Sequence, residues 1–301
     1  MLHYIFITKD GALIMSFFNF LNNLFPPQPH PFNMQNDGKK TYAQWQYEKG
    51  MDTIVFYMDK YTTDDMFKDK TVLDFGCGAG GKSLYYASIG AKKVVGVDIV
   101  ESYREKANAF AQELGLADKF EFHVADATAL PFEDHSFDTI IMNDFMEHVN
   151  KPEEALKEAL RIIKPDGKIF INFPPYYHPM GAHLTDVIYI PWVHMLFSEQ
   201  TLIREYKERV KDKPDGANRI SFRFSKDENG KEYISYINKM TLKRFHRILK
   251  NLNITPVYYK ETALRSYFKP LAHIPGVKEM FVKMAACVIT PEKNEKIAEN
   301  A

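Results

Sequence analysis

Through the middle of the chain, short β-branched apolar runs alternate with longer stretches in which apolar positions recur every three or four residues. A run such as Thr71-Val72-Leu73-Asp74-Phe75 reads as a strand, and a stretch such as 152–163 reads as an amphipathic helix. On this basis strands are expected over 71–75, 93–97, 119–124, 137–142 and 168–173, with helices over 82–89, 101–114 and 152–163 between them. Pro152 opens the last of these helices and Pro165-Asp166-Gly167 stops it. Such alternation predicts βαβ units and a parallel sheet, an α/β fold. The rhythm breaks after Phe173. About 65 residues pass before a helix over 241–252 and strands over 254–259 and 284–289 resume it. Residues 175–240 are therefore read as an insertion that caps the substrate. Inside it a helix is expected over 198–210, and 219–224 with 233–237, around Glu228-Asn229-Gly230, reads as a hairpin. Insertions of this length in a compact domain usually have a function.

The start of the chain has a different texture. No Asp, Glu, Lys or Arg occurs from Gly11 to Asn36, but the apolar stretch 12–25 is shorter than the roughly 18 to 20 residues a membrane span needs. On a helix, Leu13, Ile14, Phe17, Phe18, Phe20, Leu21, Leu24 and Phe25 share one side, and Ser16, Asn19, Asn22 and Asn23 the other. The polar side carries no Lys or Arg. Packing on the protein's own body is thus favoured, with peripheral membrane contact through residues 12–25 as the alternative. The Pro-rich run 25–31 follows as a stiff spacer, giving an N-terminal segment 1–40 and a main domain 41–301. Met15 is a candidate initiator, because Thr8-Lys9-Asp10-Gly11 interrupts the apolar pattern before it.

Composition narrows the possible partners. The 301 residues carry 39 basic and 39 acidic side chains, so no net field attracts nucleic acid phosphates. Cys77 and Cys287 are too few for a disulfide framework or a zinc site, which suits a cytoplasmic protein. His178, His183, Asp186 and His194 lack compact ligand spacing, so no metal is expected.

Candidate chemistry concentrates in Asp74-Phe75-Gly76-Cys77-Gly78-Ala79-Gly80-Gly81-Lys82-Ser83, which satisfies three patterns together. It fits a Walker A phosphate loop, a dinucleotide fingerprint and the first motif of S-adenosylmethionine (SAM) methyltransferases. Phosphate sites offer peptide N–H groups and cations, and carboxylates are unwelcome there without a metal. Here Asp74, Asp98, Asp126 and Asp144 all stand near the C-terminal ends of successive strands, the edge at which open α/β sheets bind ligands. A sulfonium, an ammonium and a ribose suit those acids. Asp98, 20 residues beyond Gly78, disfavours ATP but is compatible with NAD or SAM. Asp74 and Asp126 favour SAM.

Segments 72–80, 94–99, 125–132, 136–142, Glu147-His148-Val149 and 160–168 resemble, in order and spacing, the class I SAM-dependent methyltransferases. The nearest group is similar to ubiquinone/menaquinone-biosynthesis methylases. The resemblance covers 71–173 well and omits the insertion. It implies a Rossmann-like, mostly parallel sheet of seven strands with helices on both faces and the last strand, 284–289, antiparallel. It further implies that Asp74, Gly76, Gly78 and Gly80 hold the methionine end of SAM. Asp98, with Ile99 beside it, would serve the ribose, Asp126 and Ala127 the adenine, and Asn143 would pass under the sulfonium.

The methyl acceptor is not legible. A small, lipid-like or quinone-like molecule is favoured. A non-catalytic SAM-binding protein is the alternative, and an NAD-dependent oxidoreductase a distant third. If a proton must be removed, the candidate acceptors are His183, in the insertion after Gly181-Ala182, and His148, in the Glu-His-Val segment. Oligomeric state leaves no mark in the sequence.

Overall fold

The structure, a computed structural model, describes residues 17–291. The expectations for Met15 and for 12–16 lie outside the described residues. The chain forms two compact units: 40–178 with 238 onward, and 179–237 with the N-terminal segment up to residue 39.

The larger unit is built on strands β1 (Thr71–Phe75), β2 (Lys93–Asp98), β3 (Phe120–Val124), β4 (Phe137–Asn143) and β5 (Ile163–Phe173), all parallel. The insertion contributes β6 (Phe224–Lys226) and β7 (Glu232–Ile234) to the smaller unit. The larger sheet is then completed by β8 (Tyr258–Ala263) and β9 (Val282–Ile289). Its order is β3-β2-β1-β4-β5-β9-β8, with β9 antiparallel to both neighbours. This is the expected seven-stranded, Rossmann-like sheet. Strand order reverses between β1 and β4, and the crevice at their C-terminal ends is where such sheets bind ligands.

Alternate residues explain why both faces are covered. Val72, Val94, Ile141 and Phe170 enter one apolar cluster, while Leu73, Val95, Ile140 and Ile171 enter the other. Helices Gly81–Ser88 and Ser102–Glu113 contribute to the first cluster, and Pro152–Ile162 and Leu242–Asn251 to the second.

Two strand limits differ from expectation for identifiable reasons. β8 starts at Tyr258 rather than 254 because Pro256 has no N–H to donate, and the first cross-strand bond on this side runs from Val257 N–H to Val288 O. β5 starts at Ile163, since Phe137 pairs with Ile163 and Thr139 with Lys168, leaving Pro165-Asp166-Gly167 as an irregularity inside the strand.

In the smaller unit, residues 17–23 are helical, and the Pro-rich run leads to helix Pro31–Asn36. The first helix is not buried as its sequence suggested. Phe18 is buried, with its ring 4.8 Å from Phe197, but Phe17, Phe20 and Leu24 are exposed and Asn22 is buried instead. Asn22 can occupy that position because it is satisfied there, donating to Val187 O at 3.3 Å and accepting Tyr189 N–H at 2.7 Å. No helix among the described residues is long and apolar enough to cross a membrane.

The expected hairpin is also shorter than its sequence pattern. Its first arm is the helix Gly216–Arg223, and only β6 and β7 pair. Helical spacing places Arg219 and Arg223 on one side, where both reach the fully buried Asp186 at 2.9 and 3.1 Å. Arg219 also donates to Asp215 at 2.8 Å, and Tyr206 O–H to Asp186 at 2.7 Å. The N-terminal segment joins this centre through Asn33, which donates to Asp186 O at 2.8 Å and accepts from Arg219 at 3.0 Å.

Candidate active site

The glycine-rich loop runs from β1 into helix Gly81–Ser88, and Gly76, Gly78 and Gly80 all have positive φ, at 65°, 57° and 77°. Only glycine adopts this conformation without strain. Contact adds a second reason. A Cβ on Gly78 would lie 2.7 Å from Gln46 Nε2, and one on Gly81 would lie 2.0 Å from Ala43 O. Helix Tyr42–Glu48 therefore rests directly on the loop, where Gln46 donates to Cys77 O at 3.3 Å and accepts Gly81 N–H at 3.4 Å. Sequence reasoning passed over this helix, although Thr41-x-x-Gln44 is a capping box and the structure forms both of its bonds.

The acids at the strand ends have separate environments. Asp74 is only 3% exposed and lies beneath the loop, where Ser83 Oγ–H donates to its carboxyl at 2.6 Å. Burial pushes its pKa up to about 6. Asp98 accepts Gly78 N–H and Val100 N–H, each at 2.9 Å, so it ties the loop to the end of β2. Burial raises its pKa, and those peptide donors oppose the rise. Beside it Ile99 is 73% exposed, an apolar face at the sheet edge. Asp126 is exposed and holds Thr128 N–H at 2.9 Å, which with the Thr128 hydroxyl lowers its pKa, and Ala127 next to it is buried.

Under the crevice, Asn143 ends β4 and accepts Tyr57 O–H at 2.6 Å, leaving its own buried Nδ2 without a partner. Asp144 follows at φ 51°, with its N–H donating to Asn172 O at 3.0 Å. Its carboxylate pairs with Lys82 Nζ at 2.8 Å. That pairing counts against the Walker A reading of the loop, because the lysine a phosphate site would use is neutralised by a carboxylate.

Of the two candidate proton acceptors, His148 belongs to this unit, with Nε2 3.8 Å from Glu147 Oε1. His183 belongs to the smaller unit, at φ 52°, its N–H bonded to Met180 O at 3.0 Å and its ring 6.3 Å from that of Tyr236. Glu147 was not singled out by sequence. It is 3% exposed, and neither carboxyl oxygen has a hydrogen-bond partner. Burial, then the negative charge of Asp144, hold its pKa well above the carboxylate range.

Residues 73–171 match the family model described as a methyltransferase domain. This stretch is a methyltransferase domain. Over 104 residues the chain is 38% identical to the chloroplastic tocopherol O-methyltransferase of Arabidopsis thaliana, a match covering 35% of this chain and 30% of that one. It is 32% identical over 108 residues to norajmaline N-methyltransferase of Rauvolfia serpentina, covering 36% and 37%. The chain thus spans about a third of the length of these curated relatives. The geranyl diphosphate C-methyltransferase of Streptomyces coelicolor A3(2), solved with Mg2+, geranyl diphosphate and S-adenosylhomocysteine, shares the fold with a TM-score of 0.51. Its identity is 13%, over 88% of this chain and 87% of that one.

The residues of the methyltransferase domain fit SAM as cofactor. The loop brings glycine peptide groups to the crevice, Asp98 is braced at the ribose distance along the sequence, and Ile99 offers an apolar surface for a flat base. Gly76, Gly78, Gly80, Asp98, Ile99, Asp126, Ala127 and Asn143 all lie on the loops or strand ends of this one edge, whereas Asp74 supports the loop from below. When bound, SAM supplies an electrophilic methyl group.

Proposed function

We propose that this chain transfers the methyl group of SAM to a small, largely apolar molecule. The observation that carries the reading is the braced loop, in which Gly78 N–H is held by Asp98 and the loop's lysine by Asp144. A site so supplied with carboxylates suits a cofactor bearing a sulfonium and an ammonium rather than a polyphosphate. The named acceptors of the two curated relatives, a tocopherol and an alkaloid, support an apolar acceptor. The insertion, which leaves the sheet at the C-terminal end of β5, is proposed to provide acceptor-binding residues. Isothermal titration of the full chain with SAM, S-adenosylhomocysteine, ATP and NADH tests the cofactor, and binding of ATP or NADH above SAM refutes it. Incubating metabolite extracts with methyl-labelled SAM tests transfer. Tight SAM binding with no labelled product would leave a SAM-binding protein without transferase activity.

A further inference from the structure

Glu147 stands out because a buried carboxyl is normally hydrogen-bonded, and this one is not. Nor is it misplaced by a loose loop. Asn238 N–H donates to Glu147 O at 2.7 Å, and the Asn238 side chain donates to Met146 O at 2.7 Å and Val149 O at 2.6 Å, clamping the turn at both sides. Arg244 holds Asn238 in turn, donating to its backbone O at 2.6 Å. A clamped, buried, unsatisfied acceptor four residues beyond Asn143 and three beyond Asp144 has the form of a group prepared for a ligand at the acceptor end of the crevice.

We infer that Glu147 is the residue that receives the acceptor's proton, and that the positive charge of bound SAM converts it to the carboxylate able to do so. The inference rests on the SAM methyltransferase reading and deepens it. Within the larger unit, the charged and titratable groups near Glu147 include Asp144, Lys82 and His148. Burial, then Asp144, favours the protonated form, while Lys82 opposes them more weakly. A sulfonium brought to this strand edge adds a cation that favours the carboxylate. During transfer the acceptor's X–H bond gives its proton to the Glu147 carboxylate and leaves the electron pair on X. X then bonds the methyl carbon as the C–S bond breaks, its pair going to sulfur. Charge balances, because a neutral thioether and a protonated Glu147 replace a sulfonium and a carboxylate. The acceptor class follows: a hydroxyl or an amine that arrives with a proton to lose.

Proton linkage tests this without a known acceptor. Calorimetric titrations of the full chain at pH 7 in buffers of different ionisation enthalpy give the protons released by SAM and by S-adenosylhomocysteine, which has the same ammonium and carboxylate but no sulfonium. SAM should release up to about one proton per site more than the neutral analogue. Glu147→Gln should abolish that difference and keep SAM affinity within about threefold, while His148→Gln should preserve it. An equal release for the two ligands in the wild type, or a difference retained in Glu147→Gln, overturns the inference and leaves the cofactor reading intact. A failure of the wild type to bind SAM overturns the cofactor reading itself.

Discussion

Asp186 offers the largest energetic test of the smaller unit. Its carboxylate has no solvent exposure and takes three donors, two of them on the buried guanidinium groups of Arg219 and Arg223. Asp186→Asn keeps the shape and removes the charge. Arg219 retains Asp215 at 2.8 Å, but Arg223 is left buried with no carboxylate among its described contacts. Breaking a buried pair from one side costs about 3 to 5 kcal/mol. The rings of Phe32, Tyr206 and Tyr236, 4.9, 5.1 and 5.6 Å from the Arg223 guanidinium, already stabilise the cation and do not compensate further. A loss of about 3 kcal/mol is therefore expected, roughly a 10²-fold rise in opening. Amide hydrogen exchange on the full chain should show it in 17–39 and 179–237, with 71–98 protected as before. Adding Arg223→Met should recover part of the loss, because the uncompensated cation is then gone. A change below about fivefold, or an equal loss of protection in both units, would refute the reasoning.

Three further outcomes are expected. Asp98→Ala removes the acceptor of Gly78 N–H together with the proposed ribose partner, so SAM affinity measured by calorimetry should fall about 10- to 100-fold; unchanged affinity would exclude Asp98 from the site. Gly81→Ala pushes a methyl group into Ala43 O, so helix Tyr42–Glu48 must shift, and both SAM affinity and Trp45 fluorescence should change. The raised pKa of Asp74, about 6, makes the protonated folded state favourable. Both states hold the proton below about pH 3.8, only the folded one holds it up to about 6, and stability should fall by about 3 kcal/mol across that window. Denaturant titrations of Asp74→Asn should lack this loss, and an unchanged pH profile would remove Asp74 as its source.

What could be read from sequence was local. Val72 to Phe75 identify a buried strand by composition, the glycines identify a tight turn, and an acid at a strand end identifies the ligand edge, all within a few residues. What could not be read depends on partners far along the chain. Asn22 is polar by residue type, yet buried because a backbone segment 165 residues away satisfies it. The pattern at 219–223 alternates like a strand, and helix wins because Arg219 and Arg223 share Asp186. Glu147 looked like the neighbour of a more interesting histidine, and its burial without a hydrogen-bond partner goes with a turn fixed by Asn238, 91 residues further on.

The division of the smaller unit into two stretches of sequence has a consequence for synthesis. Phe18, Asn22, Phe32 and Asn33 leave the ribosome about 140 residues ahead of the segment that covers them, roughly 7 to 30 s at ordinary elongation rates. The larger sheet waits as well. Among the described residues β8 has no strand neighbour except β9, and β9, the last described strand, enters between β8 and β5, so the sheet stays open until residue 289 has emerged. Both units therefore finish late and expose apolar surface in the interval. A nascent chain of this design is a natural client for holding chaperones, and one stalled before β9 would carry an unfilled strand position beside β5, a place for aggregation to begin.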